Sequence, residues 1–203
     1  MKRLLILPLL ALSLIACEKD DDSTTNDPGN NGNSNPSALT NNMISVGTDS
    51  TSLNKYSAYV ATDVNTNKTY FDIFIYKDDV LDRKQYMLLH LTEIPTASKT
   101  LNWQSGANAP GAIKADEFVI YPKVNDKRWF GVYSVSGYET TGTMQATVNN
   151  GKLTLSYEDI ELADEFISVN VTERKKCSGK LTFLLSDLQG LTTTAQTLDL
   201  VAE

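Results

Sequence analysis

From residue 43 onward, apolar and polar positions alternate in short runs separated by turn-forming residues. The clearest unit is residues 143–158, TMQATVNNGKLTLSYE. A two-residue turn at Asn150-Gly151, a dipeptide that tolerates positive φ at both positions, sets Val148 opposite Leu153, Ala146 opposite Leu155 and Met144 opposite Tyr157. The other face then pairs Thr147 with Thr154 and Gln145 with Ser156. A slip of one residue would mix the two faces, so the pattern specifies the register. The same logic applies to residues 56–76. A turn around Asn65-Thr66-Asn67 lets Tyr56, Ala58 and Val60 share a face with Phe71, Ile73 and Ile75. Residues 85–94 are nearly continuous in apolar side chains, which predicts a strand buried on both faces or placed centrally. Further strands are expected at 44–47, 117–121, 129–135, 167–172 and 180–186. Leu153, Leu155 and Tyr157 are odd-numbered whereas Ile160 and Leu162 are even, so a bulge or bend is predicted near Glu158-Asp159.

No amphipathic helix of useful length is present, and the Thr-rich stretch 191–203 reads as a last edge strand or a frayed end. Many short strands joined by turns predict an all-β domain over residues 43–203: an antiparallel β-sandwich of about 8–10 strands. The order of consecutive hairpins leaves a lipocalin-like closed β-barrel as the alternative. Upstream, residues 18–42 hold only Ala38 and Leu39 as apolar side chains among Asp, Asn, Ser, Thr, Gly and Pro. Such a segment cannot bury enough surface to offset the entropy of ordering it, and is expected to be a disordered tether. As a flexible coil its ends would lie ~25–30 Å apart.

The first residues follow a different pattern. Lys2 and Arg3 precede an apolar run from Leu4 to Ile15, and the run stops at Ala16-Cys17. A run this short does not reach the ~20 residues of a spanning helix. Leu14-Ile15-Ala16-Cys17 resembles the lipobox of bacterial lipoproteins. The resemblance implies a signal peptide over residues 1–16 and a lipid thioether on Cys17, leaving 17–42 as the lipidated cysteine and its linker. Lipid chains anchor through ~0.8 kcal/mol per buried CH₂, and two or more chains make the attachment stable. The run Glu18-Lys19-Asp20-Asp21-Asp22 is similar to the Lys-plus-acidic stretch of Bacteroidota surface lipoproteins, which implies export to the outer face of the outer membrane. Without that signal the protein would sit on the periplasmic side. Asp22-Ser23-Thr24 and Asp49-Ser50-Thr51 resemble the O-glycosylation acceptor of that phylum, with Ser23 and Ser50 as the implied sites. The domain also looks like uncharacterised β-rich lipoprotein domains of that phylum, a likeness that implies no activity.

Charge narrows the partners. The formal net charge is −7, and removing Lys2 and Arg3 with the signal would take it from −7 to −9. An acidic chain is poorly suited to nucleic acid, which needs Lys and Arg to displace counterions. The only basic run, Arg174-Lys175-Lys176, reads as a solvated turn between strands. If Cys17 is a thioether, Cys177 has no partner for a disulfide and reads as a small buried apolar group. The single histidine, His90, lies within the apolar run YMLLHLTEI and reads as a core or sheet-face side chain. Ser-His-Asp and Cys-His chemistry would both depend on it. No His/Cys cluster suggests a metal, and no Gly-rich phosphate loop follows a strand, so no cofactor is expected. Asp78, Asp79 and Asp82 lack the spacing of a calcium loop. The carboxylates Glu158, Asp159, Glu161, Asp164 and Glu165 flank the expected bend and read as exposed. A glycosidase pair would instead face each other ~5–9 Å apart across a cleft.

Residues 101–116, LNWQSGANAPGAIKAD, form the longest irregular stretch, and long loops on rigid scaffolds often carry binding. They hold Trp103, with Trp129 and Tyr121 on neighbouring strands. Exposed aromatic rings are platforms for sugar rings or partner side chains. The expectation is therefore a non-enzymatic, membrane-anchored module that binds glycan or protein, with Trp103, Trp129 and Tyr121 as candidate contacts. A hydrolase with an unfamiliar carboxylate site and a purely structural envelope protein are the alternatives.

Overall fold

The computed structural model describes residues 40–78, 84–104, 113–132, 139–165 and 170–202. These residues belong to one unit, Pro36–Glu203. Strands follow in the order β1 (Met43–Val46), β2 (Asp49–Ser52), β3 (Lys55–Thr62), β4 (Thr69–Tyr76), β5 (Tyr86–Leu91), β6 (Lys99–Trp103), β7 (Glu117–Val124), β8 (Lys127–Arg128), β9 (Thr143–Asn149), β10 (Lys152–Ala163) and β11 (Arg174–Leu184). One short helix, α1 (Leu185–Gln189), and a final strand, β12 (Gln196–Asp199), complete the described chain. Among the described residues the spatial order is β12-β3-β4-β5-β7-β6-β9-β10-β11-β1-β2, with β8 pairing β7. The result is one curled, mixed sheet that forms a half-barrel.

The β9–β10 hairpin forms in the register that the alternation predicts: Val148 opposes Leu153, Ala146 opposes Leu155 and Met144 opposes Tyr157. Asn150 and Gly151 adopt φ 49° and 72° at its tip, the left-handed pair that matches the twist of the flanking strands. The predicted bulge is also present. The β10–β11 register shifts between Tyr157 and Ile160, Asp159 takes φ 54°, and its N–H donates to Ser178 Oγ at 3.0 Å. In the β3–β4 hairpin Tyr56 opposes Ile75 and Ala58 opposes Ile73. Its turn is held by Asp63 Oδ1, which accepts from the N–H groups of Asn65 and Thr66 at 2.9 and 2.8 Å. Residues 196–199 are an edge strand on β3.

Several expectations need correction. The sheet is not wholly antiparallel: β6 runs parallel to β7, with Trp103 beside Phe118, because β7 takes the place next to β5 and pushes β6 outward against β9. Residues 101–103, expected to open an irregular stretch, belong instead to strand β6. Of the strand expected at 129–135, residues 129–132 make only an isolated bridge between Phe130 and Ala163, and residues 133–135 lie outside the described residues. The strand expected at 167–172 lies partly outside them too, and 170–172 are not strand.

Curling brings distant strands together across one core. Tyr56 of β3 meets Phe183 of β11 edge-on at 5.1 Å, and the Tyr157 hydroxyl of β10 donates to Met87 Sδ of β5 at 3.2 Å. Among the described residues no ladder joins the outermost strands β2 and β12. A single backbone bond reaches across instead: Leu200 N–H donates to Asn54 O at 2.8 Å, extending the β12–β3 pairing, and Val201 N–H then donates to Thr182 O of β11 at 2.9 Å. The Val201 carbonyl accepts from Asn41 and Asn42 Nδ2 at 2.9 and 2.8 Å, tying the start of the domain to its end.

Candidate functional site

Strand register sorts the side chains of β3, β4, β5 and β7 into two sets. Tyr56, Ala58, Ile73, Ile75, Met87, Leu89 and Ile120 face inward and belong to the main core. The alternate positions face outward, because successive strand residues point to opposite sides. Across the outer face Tyr59 pairs with Asp72, Asp72 with His90, and Leu88 with Tyr121. Phe74 and Tyr70 share that face on β4.

The outer set is aromatic rather than simply polar. His90 lies between two tyrosine rings, Tyr70 at 5.6 Å and Tyr121 at 5.7 Å, both edge-on. Tyr121 continues to Phe130 at 6.2 Å, and Phe74 stacks on Tyr86 at 4.8 Å. The Arg128 guanidinium covers Tyr86 at 5.9 Å. Tyr59, Tyr70, Phe74 and Tyr121 are half-buried, so part of each ring is open to solvent. The Tyr59 hydroxyl donates to Asp72 Oδ2 at 3.0 Å.

His90 is 5% exposed, and its Nδ1 is buried with no hydrogen-bond partner. Burial lowers its pKa from the ordinary value, while the Asp72 carboxylate pulls it the other way. Burial, followed by the charge of Asp72 and its hydrogen bond, pushes the Tyr59 phenol up to about 12. Tyr70 is raised by burial and then by Asp72 and Asp63. The site thus holds a carboxylate, phenolic hydroxyls and one orphaned ring nitrogen, arranged among half-open rings.

The three aromatic candidates have separate fates. Trp103 is not an exposed platform: it is 5% exposed and packs on Phe118 at 5.5 Å and against Gly131. Its strand β6 turns the ring into the core. Trp129 is 2% exposed, with Lys127 and Lys175 ammonium groups 4.8 and 5.2 Å from its ring centre. Those lysines pair with Glu173 at 2.6 and 3.1 Å, so the ring lies under an ion network. Tyr121 alone joins the outer face, beside His90.

The remaining sequence candidates also have places. Arg174-Lys175-Lys176 opens β11 rather than a turn, and each cation is paired: Arg174 with Glu161, Lys175 with Glu173 and Lys176 with Asp159. Of the acidic stretch, Asp164 accepts from the Thr172 hydroxyl and from the Thr172 and Glu173 N–H groups at 3.0 Å each, and the hydroxyl first, then those N–H groups, hold its carboxyl well below the usual range. Cys177 is buried, its thiol pushed up to about 12 by that burial, and it lies 3.8 Å from the Tyr157 hydroxyl. Asp78 exchanges hydrogen bonds with Asn54, while Asp79 and Asp82 lie outside the described residues. Among the described residues no group of three His, Cys, Asp or Glu is placed to hold a metal ion. Ser50 is exposed on the edge strand β2; Cys17 and Ser23 lie outside the described residues.

Sequence reasoning missed Tyr59, Tyr70, Asp72 and Phe74. A signal was present: once Phe71, Ile73 and Ile75 are assigned inward, TYFDIFIY leaves Tyr70, Phe74 and Tyr76 on the side that a half-buried strand gives to polar residues. No family model, curated protein or solved structure matches the chain.

Proposed function

We propose that this chain is a lipoprotein, anchored in the outer membrane through Cys17 and facing the medium, whose β-domain captures a ligand, glycan or protein, on the outer face of β3, β4, β5 and β7. The observation that carries the binding reading is the buried, unpartnered Nδ1 of His90 set among the half-open rings of Tyr70 and Tyr121. An orphaned buried polar atom costs about 1–3 kcal/mol, and in a native fold such an atom calls for a specific reason. Support for the anchor comes from the charge–apolar–Ala16-Cys17 order of the first residues, and for the surface address from residues 18–22. The acidic balance argues against nucleic acid, and no helix among the described residues is long and apolar enough to cross a membrane.

One fractionation experiment on cells bearing the full chain tests both halves. Cys17→Ser should move the protein from the membrane to the soluble fraction; unchanged partition removes the anchor. Tyr70→Ala with Tyr121→Ala should leave partition unaltered and abolish ligand capture. Capture equal to the parent removes the binding face.

A further inference from the structure

The outer side of the sheet has two unlike halves. On β6, β9 and β10 the outward positions are Thr100, Gln145, Thr147, Thr154 and Ser156, the uncharged polar groups of a face that meets water. On β3, β4, β5 and β7 one register row is Ser57, Phe74, Leu88 and Tyr121, each half-buried and apolar but for the serine. An apolar patch with a polar rim marks an interaction surface. The rows on either side of this one carry opposite charge. Two residues along the strands in one direction lie Lys55, Tyr76 and Tyr86, with the Arg128 guanidinium over the Tyr86 ring. Two residues in the other direction lie Tyr59, Asp72 and His90. Among the described residues Lys55, Arg128 and Asp72 belong to no ion pair, whereas Arg174, Lys175 and Lys176 on β11 are all paired.

On the basis of the binding face proposed above, we infer that the protein it takes is a second copy of this chain. The two form a two-fold dimer centred on Phe74 and Leu88, and Asp72 of each copy meets Lys55 and Arg128 of the other. The face is complementary to itself. A half-turn about the Ser57–Tyr121 row sets that row against its own equivalent and the Asp72 row of each copy against the Lys55 row of the other. Each Asp72 then lies opposite Tyr76 of the second copy. Lys55 stands one strand, ~4.8 Å, to one side of that position, and the guanidinium over Tyr86 stands to the other. The strands of the two copies run antiparallel at the ~10 Å separation of packed sheets. Four strands of up to eight residues span about 500 Å² in plan. Two such faces bury roughly 1,000 Å², the size of a weak, reversible interface.

The test is sedimentation equilibrium of the full chain in density-matched detergent over rising concentration. The parent should pass from monomer to dimer. Lys55→Glu with Arg128→Glu sets like charges opposite Asp72 at two symmetric places and should weaken association about tenfold. Adding Asp72→Lys should restore it. Association unchanged by the reversal, or not rescued by Asp72→Lys, overturns the pairing. A second measurement reads the geometry on an otherwise parental chain. Ser57→Cys lies on the two-fold axis and should cross-link to its equivalent through a short bismaleimide, with the parent as blank. Gln145→Cys, on the polar half, should not, and Cys177 is buried. Equal cross-linking at both positions overturns this face as the seat of the dimer. A parent that stays monomeric overturns the second copy as partner. If the Tyr70→Ala, Tyr121→Ala double variant then still abolishes ligand capture, the binding face stands with a different ligand. If the double variant leaves capture unchanged as well, both fall together.

Discussion

Tyr56 and His90 each bury a polar atom without a partner, and they sit on opposite faces of the sheet. Tyr56 faces inward at 0% exposure, its ring against Phe183, its hydroxyl enclosed by the core. His90 faces outward at 5% exposure, between rings that are themselves half open. Burial and the nearby charge of Asp187 raise the Tyr56 phenol, so it stays neutral and does nothing but fill space. Burial lowers His90, and the cost of hiding its nitrogen is not recovered by packing that an apolar ring could not equally provide. The same defect therefore has two meanings. Inside, it is tolerated for the volume the ring fills; outside, it lies beneath rings that are themselves half open.

Three measurements bear on that contrast. The largest effect is expected on the inner face. Phe183→Ala removes the ring that joins β11 to Tyr56 on β3 and should cost about 3–5 kcal/mol in denaturant unfolding. A loss below ~1 kcal/mol would mean that the two halves of the sheet do not share one core. Next is Gly131→Ala, whose added Cβ would lie 2.1 Å from Trp103 Cζ2. Overpacking of that kind costs about 1–3 kcal/mol, and an unchanged midpoint would return Trp103 to the surface role it was expected to have.

The smallest effect has the opposite sign. His90→Phe should raise stability by about 1 kcal/mol, because an unsatisfied buried nitrogen is exchanged for an apolar ring edge. It should also flatten the acid limb. Unfolded His90 takes up a proton near the ordinary 6.5 while the folded, buried ring resists, so stability held above that value is lost as the pH falls below it. Between about pH 7 and pH 5 the parent should lose more stability than the variant. Equal slopes would place His90 in an environment no different from water.

Much of the local structure was legible because it depends on neighbours in the chain. The Asn150-Gly151 turn, the bulge at Asp159 and the inward set of β3 and β4 all follow from backbone tolerance and side-chain alternation. The site was legible only in part. Tyr121 was singled out for the right chemistry, but Trp103 and Trp129 were chosen as rings near loops. Their burial depends on Phe118 and Gly131 in one case and on Lys127 and Lys175 in the other. The parallel placement of β6 was equally hidden. Its alternation puts Leu101 and Trp103 inward whichever strand it pairs with.

By itself, then, the order of residues determined the all-β character of the domain, its hairpins and the point where β10 bends. Each of these is settled within a few residues by φ preferences and by the two-residue repeat of a strand. Only the tertiary structure decided that the sheet curls on itself, that β7 separates β5 from β6, and that His90 loses its water between Tyr70 and Tyr121. Those outcomes depend on contacts between residues far apart in the chain, where apolar alternation is equally compatible with several neighbours and carries no record of which one wins.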